Sequence, residues 1–158
     1  MRVIFHCSDS FYGNAALLTK WQVLPAEKVI QGGRVYHGNG WSAIGYHYVI
    51  LNGWLDSGMY NRAFDGHLET GRPLDDDHII GTGEIGAHTR GHNRSVGICL
   101  IGRSGDFTES QIETAKRVLN LLKGQFREIE IFQHSDFDPK KPHCAGLDLS
   151  IFYGRGII

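Results

Sequence analysis

The apolar and polar positions along the chain fall into segments of two different periods. Residues 2–6 are β-rich and alternate, which predicts a short strand ending at His6. Residues 14–22 put Ala15, Leu18 and Trp21–Gln22 on one face at helical spacing. Residues 23–43 carry Pro25, Gly32, Gly33, Gly38 and Gly40 and read as a loop-rich excursion. The run from Gly45 to Leu51 predicts a strand that includes Tyr46 and is stopped by Asn52-Gly53. Residues 53–66 show no period and read as irregular, and His67 to Arg72 predicts a strand closed by Gly71 and Pro73. The near-continuous apolar run from Ser95 to Gly102 suits a central strand buried on both faces. Thr108 is a good N-cap for a helix over 109–123. Gln111 completes a capping box, and Phe107 and Ile112 are spaced as a hydrophobic staple. Ile112, Ala115, Leu119 and Leu122 then form one apolar stripe, and Gly124 is expected to end the helix. A last strand, Ile129 to Gln133, leads into His134.

Strands and helices in this mixture predict an α/β fold, with a mixed central β-sheet and helices packed on it. With 158 residues and no linker or repeat, residues 1–158 form a single domain. The composition is that of an ordinary globular chain, 41% hydrophobic and 21% charged. A net charge of -1 without a run of Lys or Arg provides no basic face for nucleic acid and no polybasic anchor for a membrane. No stretch approaches the roughly 18 apolar residues of a membrane helix. The first residues lack the pattern of a secretory signal, so the chain is expected to be cytoplasmic as synthesised. Three cysteines, Cys7, Cys99 and Cys144, make a poor disulfide framework and fit a reducing compartment. Asp75-Asp76-Asp77 reads as a solvated acidic loop rather than a metal site.

His6 and His134 both stand at the ends of predicted strands. Cys144 follows His134 by ten residues, in a loop with Pro139, Pro142 and Gly146. Strand ends and adjoining loops converge on one edge of a sheet. Two imidazoles and a thiolate would give zinc three ligands and leave a fourth position open, the pattern of a catalytic site. Spacing alone does not single these out from nine histidines, and a cysteine such as Cys144 is by itself more often a buried or incidental thiol than a ligand. Tyr46 lies in an apolar strand and reads either as core packing or as a functional hydroxyl. His47 would face away from it and be structural. Cys7 is expected to point away from the ligand set, and Cys99 to be a small buried hydrophobe.

Five segments occur in one order: His6-Cys7-Ser8; Ile44 to Ile50; Gly86-Ala87-His88-Thr89 with Gly91 and Asn93; Ser95-Val96-Gly97-Ile98; and His134-Ser135-Asp136 through Cys144. Together they closely resemble the type 2 N-acetylmuramoyl-L-alanine amidases, the superfamily of phage lysozyme-type amidases and animal peptidoglycan recognition proteins. The likeness spans roughly residues 2 to 150. It implies one zinc per chain in a surface groove, held by His6, His134 and Cys144. It implies Tyr46 as a catalytic tyrosine, and His88 and Asn93 as residues lining the substrate groove. Catalytic members carry a lysine shortly before the third ligand. Here the position two before Cys144 is Pro142, preceded by adjacent Lys140 and Lys141; Lys141, nearer the cysteine, is the expected site lysine, with Lys140 as the alternative.

The activity implied is hydrolysis of the amide between N-acetylmuramic acid and L-alanine in peptidoglycan, by a monomer, in a phage or prophage endolysin. The alternatives are a peptidoglycan-binding module without catalysis and a cytoplasmic amidase that recycles muropeptides. Retention of Cys144 together with both histidines favours an enzyme. The stretches near 23–40 and 53–66 resemble insertions.

Overall fold

The computed structural model describes residues 1–24, 29–31, 34–36 and 38–154. A five-stranded sheet organises the chain. Its strands are β1 (Arg2–Cys7), β4 (Tyr48–Trp54), β5 (Tyr60–Thr70), β6 (Val96–Leu100) and β7 (Glu130–Gln133), in the order β5-β4-β6-β1-β7. β1 runs parallel to both β6 and β7, β4 runs parallel to β6, and β5 closes one edge antiparallel to β4. The sheet is therefore mixed, as expected. Helix α1 (Ala15–Val23) and helix α2 (Glu109–Gln125) complete the domain, with a separate two-stranded ribbon of β2 (Val29–Gln31) and β3 (Arg34–Tyr36). That ribbon falls inside the predicted loop excursion; Pro25, Gly32, Gly33 and His37 lie outside the described residues.

α2 forms as its sequence demands. Thr108 Oγ1 accepts the Gln111 N–H at 3.1 Å, and Gln111 Oε1 accepts the Thr108 N–H at 3.1 Å, closing the capping box. Gln111 is fully buried, and its amide also donates to the Ile50 and Ile101 carbonyls, at 2.9 Å each. The buried stripe runs through Ala115, Val118, Leu119 and Leu122, while Ile112 is only partly covered. Gly124 does not end the helix, which runs on to Gln125 and is capped at Phe126. Nothing lies within contact of a Cβ at Gly124 and its φ is not positive, so it is an ordinary exposed helical residue.

Two further expectations are corrected. Asn52-Gly53 does not stop β4; both residues are inside it, at register shifts against β5. Gly53 takes φ +86, and the Tyr60 ring covers the place of its Cβ, so an Asn-Gly pair that reads as a turn is a bulge here. The reversal itself follows at Leu55 to Met59. The segment predicted to be irregular contains the first half of β5. Residues 60–63 are exposed on a sheet edge, so neither face imposes an apolar alternation.

The sheet separates two clusters of unequal size. Val3, Phe5, Ile50, Val96, Ile98 and Leu100 pack against α2. On the other face Val49, Leu51, Cys99 and Ile101 meet Ile44 and Leu18 of α1. Asn14 caps α1 by accepting the Leu17 N–H at 2.8 Å. His6 pairs in register with Cys99, and Cys99 with Val49, which places His6 in the second, thinner layer. Among the described residues no helix is long and apolar enough to cross a membrane.

Candidate metal centre and adjoining groove

Parallel pairing of β1 with β7 places Phe5 beside Gln133, so the next residues along, His6 and His134, come together although 128 positions separate them. The chain then returns through a loop. The Ser135 N–H donates to the Cys144 carbonyl at 2.6 Å, and the Cys7 N–H donates to Cys144 Sγ at 3.4 Å. This is the edge where open α/β sheets assemble their sites, beyond the C-terminal ends of parallel strands.

His6 Nδ1 lies 3.2 Å from His134 Nδ1 and 3.9 Å from Cys144 Sγ. One donor atom from each of the three residues falls within 4.8 Å of the others, so the group could hold a metal ion. Around a tetrahedral zinc with bonds near 2.0 Å to nitrogen and 2.3 Å to sulfur, neighbouring donors are separated by roughly 3.3–3.5 Å. The observed separations bracket that range, and the donor set suits a borderline-soft dication.

Burial, then the adjacent His88 and His134 rings, hold His6 well below the usual histidine value. Burial lowers His134, with Asp138 opposing and the Lys141 charge assisting. Both imidazoles are therefore neutral at pH 7 and have a lone pair to offer. A hydrogen bond with the Cys7 side chain, then burial, push the Cys144 thiol up. A dication held beside the sulfur would favour the thiolate instead.

His134 and Cys144 border a depression of about 370 Å³ lined also by Cys7, Ser8, Asp9, Tyr46, Ser104, Lys140, Lys141 and His143, and His6 lies buried beside them. Tyr46 lies just before β4 rather than within it, with its ring 5.1 Å from that of His6. Burial raises its hydroxyl pKa well above the ordinary value, so it is a donor at neutral pH. Both lysines are exposed on the rim. A second depression, of about 410 Å³, shares His134 and is lined by Trp41, His88, Arg90, Asn93 and Asp138 among others. The two depressions share His134 as a lining residue.

Of the sequence-derived candidates, His134, Cys144, Tyr46, Lys140 and Lys141 line the first depression, and His6 lies buried against His134 and Cys144. His88 and Asn93 line the second, but neither side chain is free there. His88 is 7% exposed, with its ring edge-on to His6 at 5.0 Å between centroids. Asn93 Oδ1 accepts the N–H groups of His88 and Thr89 at 3.0 and 2.9 Å. His47 is structural: its Nε2 lies 2.7 Å from the Glu84 carbonyl and its Nδ1 accepts the Gly97 N–H at 3.0 Å. Asp75 and Asp77 lie with Glu84 in a second acidic group, but each of these carboxylates accepts backbone N–H groups of its own loop.

Cys7 corrects its expectation, since it lines the depression beside Cys144. Strand alternation stops applying at the last residue of β1. Asp138 was not foreseen: its carboxylate lies 3.9 Å from His134 Nε2, the nitrogen turned away from the donor cluster. Its position four residues after His134 was the available signal.

No family model matches the chain. Among solved structures, the N-acetylmuramoyl-L-alanine amidase LysC from Clostridium intestinale URNW superposes with a TM-score of 0.65. The match covers 93% of this chain and 76% of that one at 18% identity. The chain thus shares the fold of that amidase. The endolysin of Enterobacteria phage K11 is 31% identical over 125 residues, 74% of this chain and 68% of that protein. The endolysin of Klebsiella phage KP32 is 30% identical over 124 residues, covering 73% and 68%. The endolysin of Escherichia phage T7 is 28% identical over the same length. The chain belongs to this family of phage endolysins.

Proposed function

We propose that the protein is a zinc-dependent N-acetylmuramoyl-L-alanine amidase acting as a phage or prophage endolysin. Made in the cytoplasm and released to the wall at lysis, it acts as a monomer on peptidoglycan. The observation that carries this reading is the convergence of His6 Nδ1, His134 Nδ1 and Cys144 Sγ beside an open depression that also holds a tyrosine and two lysines.

His6, His134 and Cys144 would hold the zinc. When bound, it supplies a Lewis acid that polarises a carbonyl and brings the pKa of a water toward 7. The chain's own groups do the rest. Tyr46, kept protonated by burial, borders the depression and would offer its hydroxyl hydrogen to the reacting oxygen. Lys141 provides a fixed positive charge for the developing oxyanion. Of the two lysines, Lys141 is the one whose charge depresses His134, which favours it over Lys140. Asp138 stands 3.9 Å from the far nitrogen of His134, close to where an outer partner of a metal-bound histidine would sit.

Purified peptidoglycan incubated with the protein should yield stem peptides with a new amino terminus at L-alanine, read by mass spectrometry. Glycan cleavage products in their place would overturn the bond assignment. Sedimentation with the wall and no release would point to a binding module.

A further inference from the structure

His88 lies behind the donor cluster, in contact with one of its members. His88 Nε2 is 3.1 Å from the Ser95 carbonyl oxygen, and His88 Nδ1 is 3.1 Å from His6 Nε2. A carbonyl oxygen can only accept, so the hydrogen of this contact resides on His88 Nε2. A neutral imidazole carries one N–H, which leaves His88 Nδ1 as an acceptor. His6 must then carry its own hydrogen on Nε2 and donate it to His88. The lone pair of His6 is thereby left on Nδ1, the atom that faces His134 and Cys144. The Thr89 hydroxyl, 3.1 Å from His88 Nδ1 and 3.4 Å from His6 Nε2, can serve either nitrogen and does not alter this assignment.

The placement of the His88 ring is built into the fold. A Cβ on Gly86 would stand 2.5 Å from His88 Cδ2, and one on Gly97 would stand 2.6 Å from the same atom. Two strand and loop segments are glycine where the ring lies against them. Asn93 fixes the His88 backbone N–H from the other side. Ser95, whose carbonyl starts the chain of bonds, adjoins central strand β6 and is itself buried.

We propose that His88 is a positioning residue for the metal. Through the chain Ser95 carbonyl, His88, His6, it sets the tautomer of His6 and directs Nδ1 to the donor cluster. This departs from the expectation that His88 touches substrate. It rests on the metal reading given above, and the two can fail separately.

The test is zinc affinity by chelator competition in the wild type, His88→Phe and His88→Gln. It is joined to histidine nitrogen NMR of the zinc-loaded wild type. Phenylalanine keeps ring volume but can neither accept from His6 nor donate to Ser95, so zinc should bind about 10–100-fold more weakly. Glutamine carries an acceptor and a donor on one planar group and should recover most of that loss. The NMR spectrum should show the hydrogens on Nε2 of both His6 and His88. Unchanged zinc affinity in His88→Phe with a raised KM would overturn the proposal in favour of substrate contact. A hydrogen on His6 Nδ1 would overturn it even if the variants fail to fold. A wild type that binds no zinc would sink the metal reading first and this proposal with it.

Discussion

The two faces of the central sheet are covered in different ways. On the α2 face, Val3, Phe5, Ile98 and Leu100 meet Ala115, Val118, Leu119 and Leu122 in a continuous apolar layer. On the opposite face the apolar cluster is smaller, and the rest of the layer is filled by His6, His47 and His88 with Thr89 and Ser95. Apolar packing tolerates many solutions of similar volume. A layer of buried imidazoles tolerates few, because each ring nitrogen must find a partner of the right sense. One face therefore supplies stability, and the other spends some of it to hold a donor cluster at the strand ends.

The sharpest way to break that contrast is Cys144→Ser. An alcohol is a far poorer zinc ligand than a thiolate, so the variant should lose most bound zinc and most activity while remaining folded. Full zinc occupancy by metal analysis would remove Cys144 from the ligand set. Next comes Lys141→Ala, expected to keep its zinc and lose roughly 10²–10³ in turnover, as for other oxyanion donors. The same loss in Lys140→Ala instead would reassign the site lysine. On the opposite face, Leu119→Ala should cost about 2–5 kcal/mol of stability, read as a lowered unfolding midpoint, with zinc affinity of the folded fraction unchanged. A loss of zinc affinity there would mean that the two faces are not separable.

The last expected effect is on pH. Burial brings His88 down to about 4 from 6.5, and lowers His6 and His134 as well. Folded-state values below the unfolded ones mean that the unfolded chain binds more protons. Stability is then present above pH 6.5 and is lost as pH falls toward 4, by on the order of 3 kcal/mol for His88. Thermal unfolding of the zinc-stripped protein at pH 7 and pH 5 checks this. An unchanged midpoint would mean that the imidazole layer is not neutral and buried as described.

The same contrast explains what the sequence could reveal. α2 was legible almost to the residue, because a capping box and an apolar stripe are local signals. The buried run of β6 was legible for the same reason. The first half of β5 was not, since an exposed edge strand leaves no period, and Asn52-Gly53 gave a turn signal that the fold uses as a bulge. The donors His6, His134 and Cys144 were reached through a resemblance carried by several motifs; their spacing conveys nothing until β1 and β7 pair in parallel. The inward position of Cys7 and the bond of His88 to His6 depend on which way side chains turn at strand and loop ends, which no periodicity encodes.

The central claim is that His6, His134 and Cys144 hold a catalytic zinc. Its most direct test is to strip the protein with a chelator, titrate zinc back, and follow amide cleavage of peptidoglycan against metal content. The stripped protein should show no cleavage, and recovery should saturate at one zinc per chain. Cleavage that survives stripping, or recovery that bears no relation to bound zinc, would contradict it.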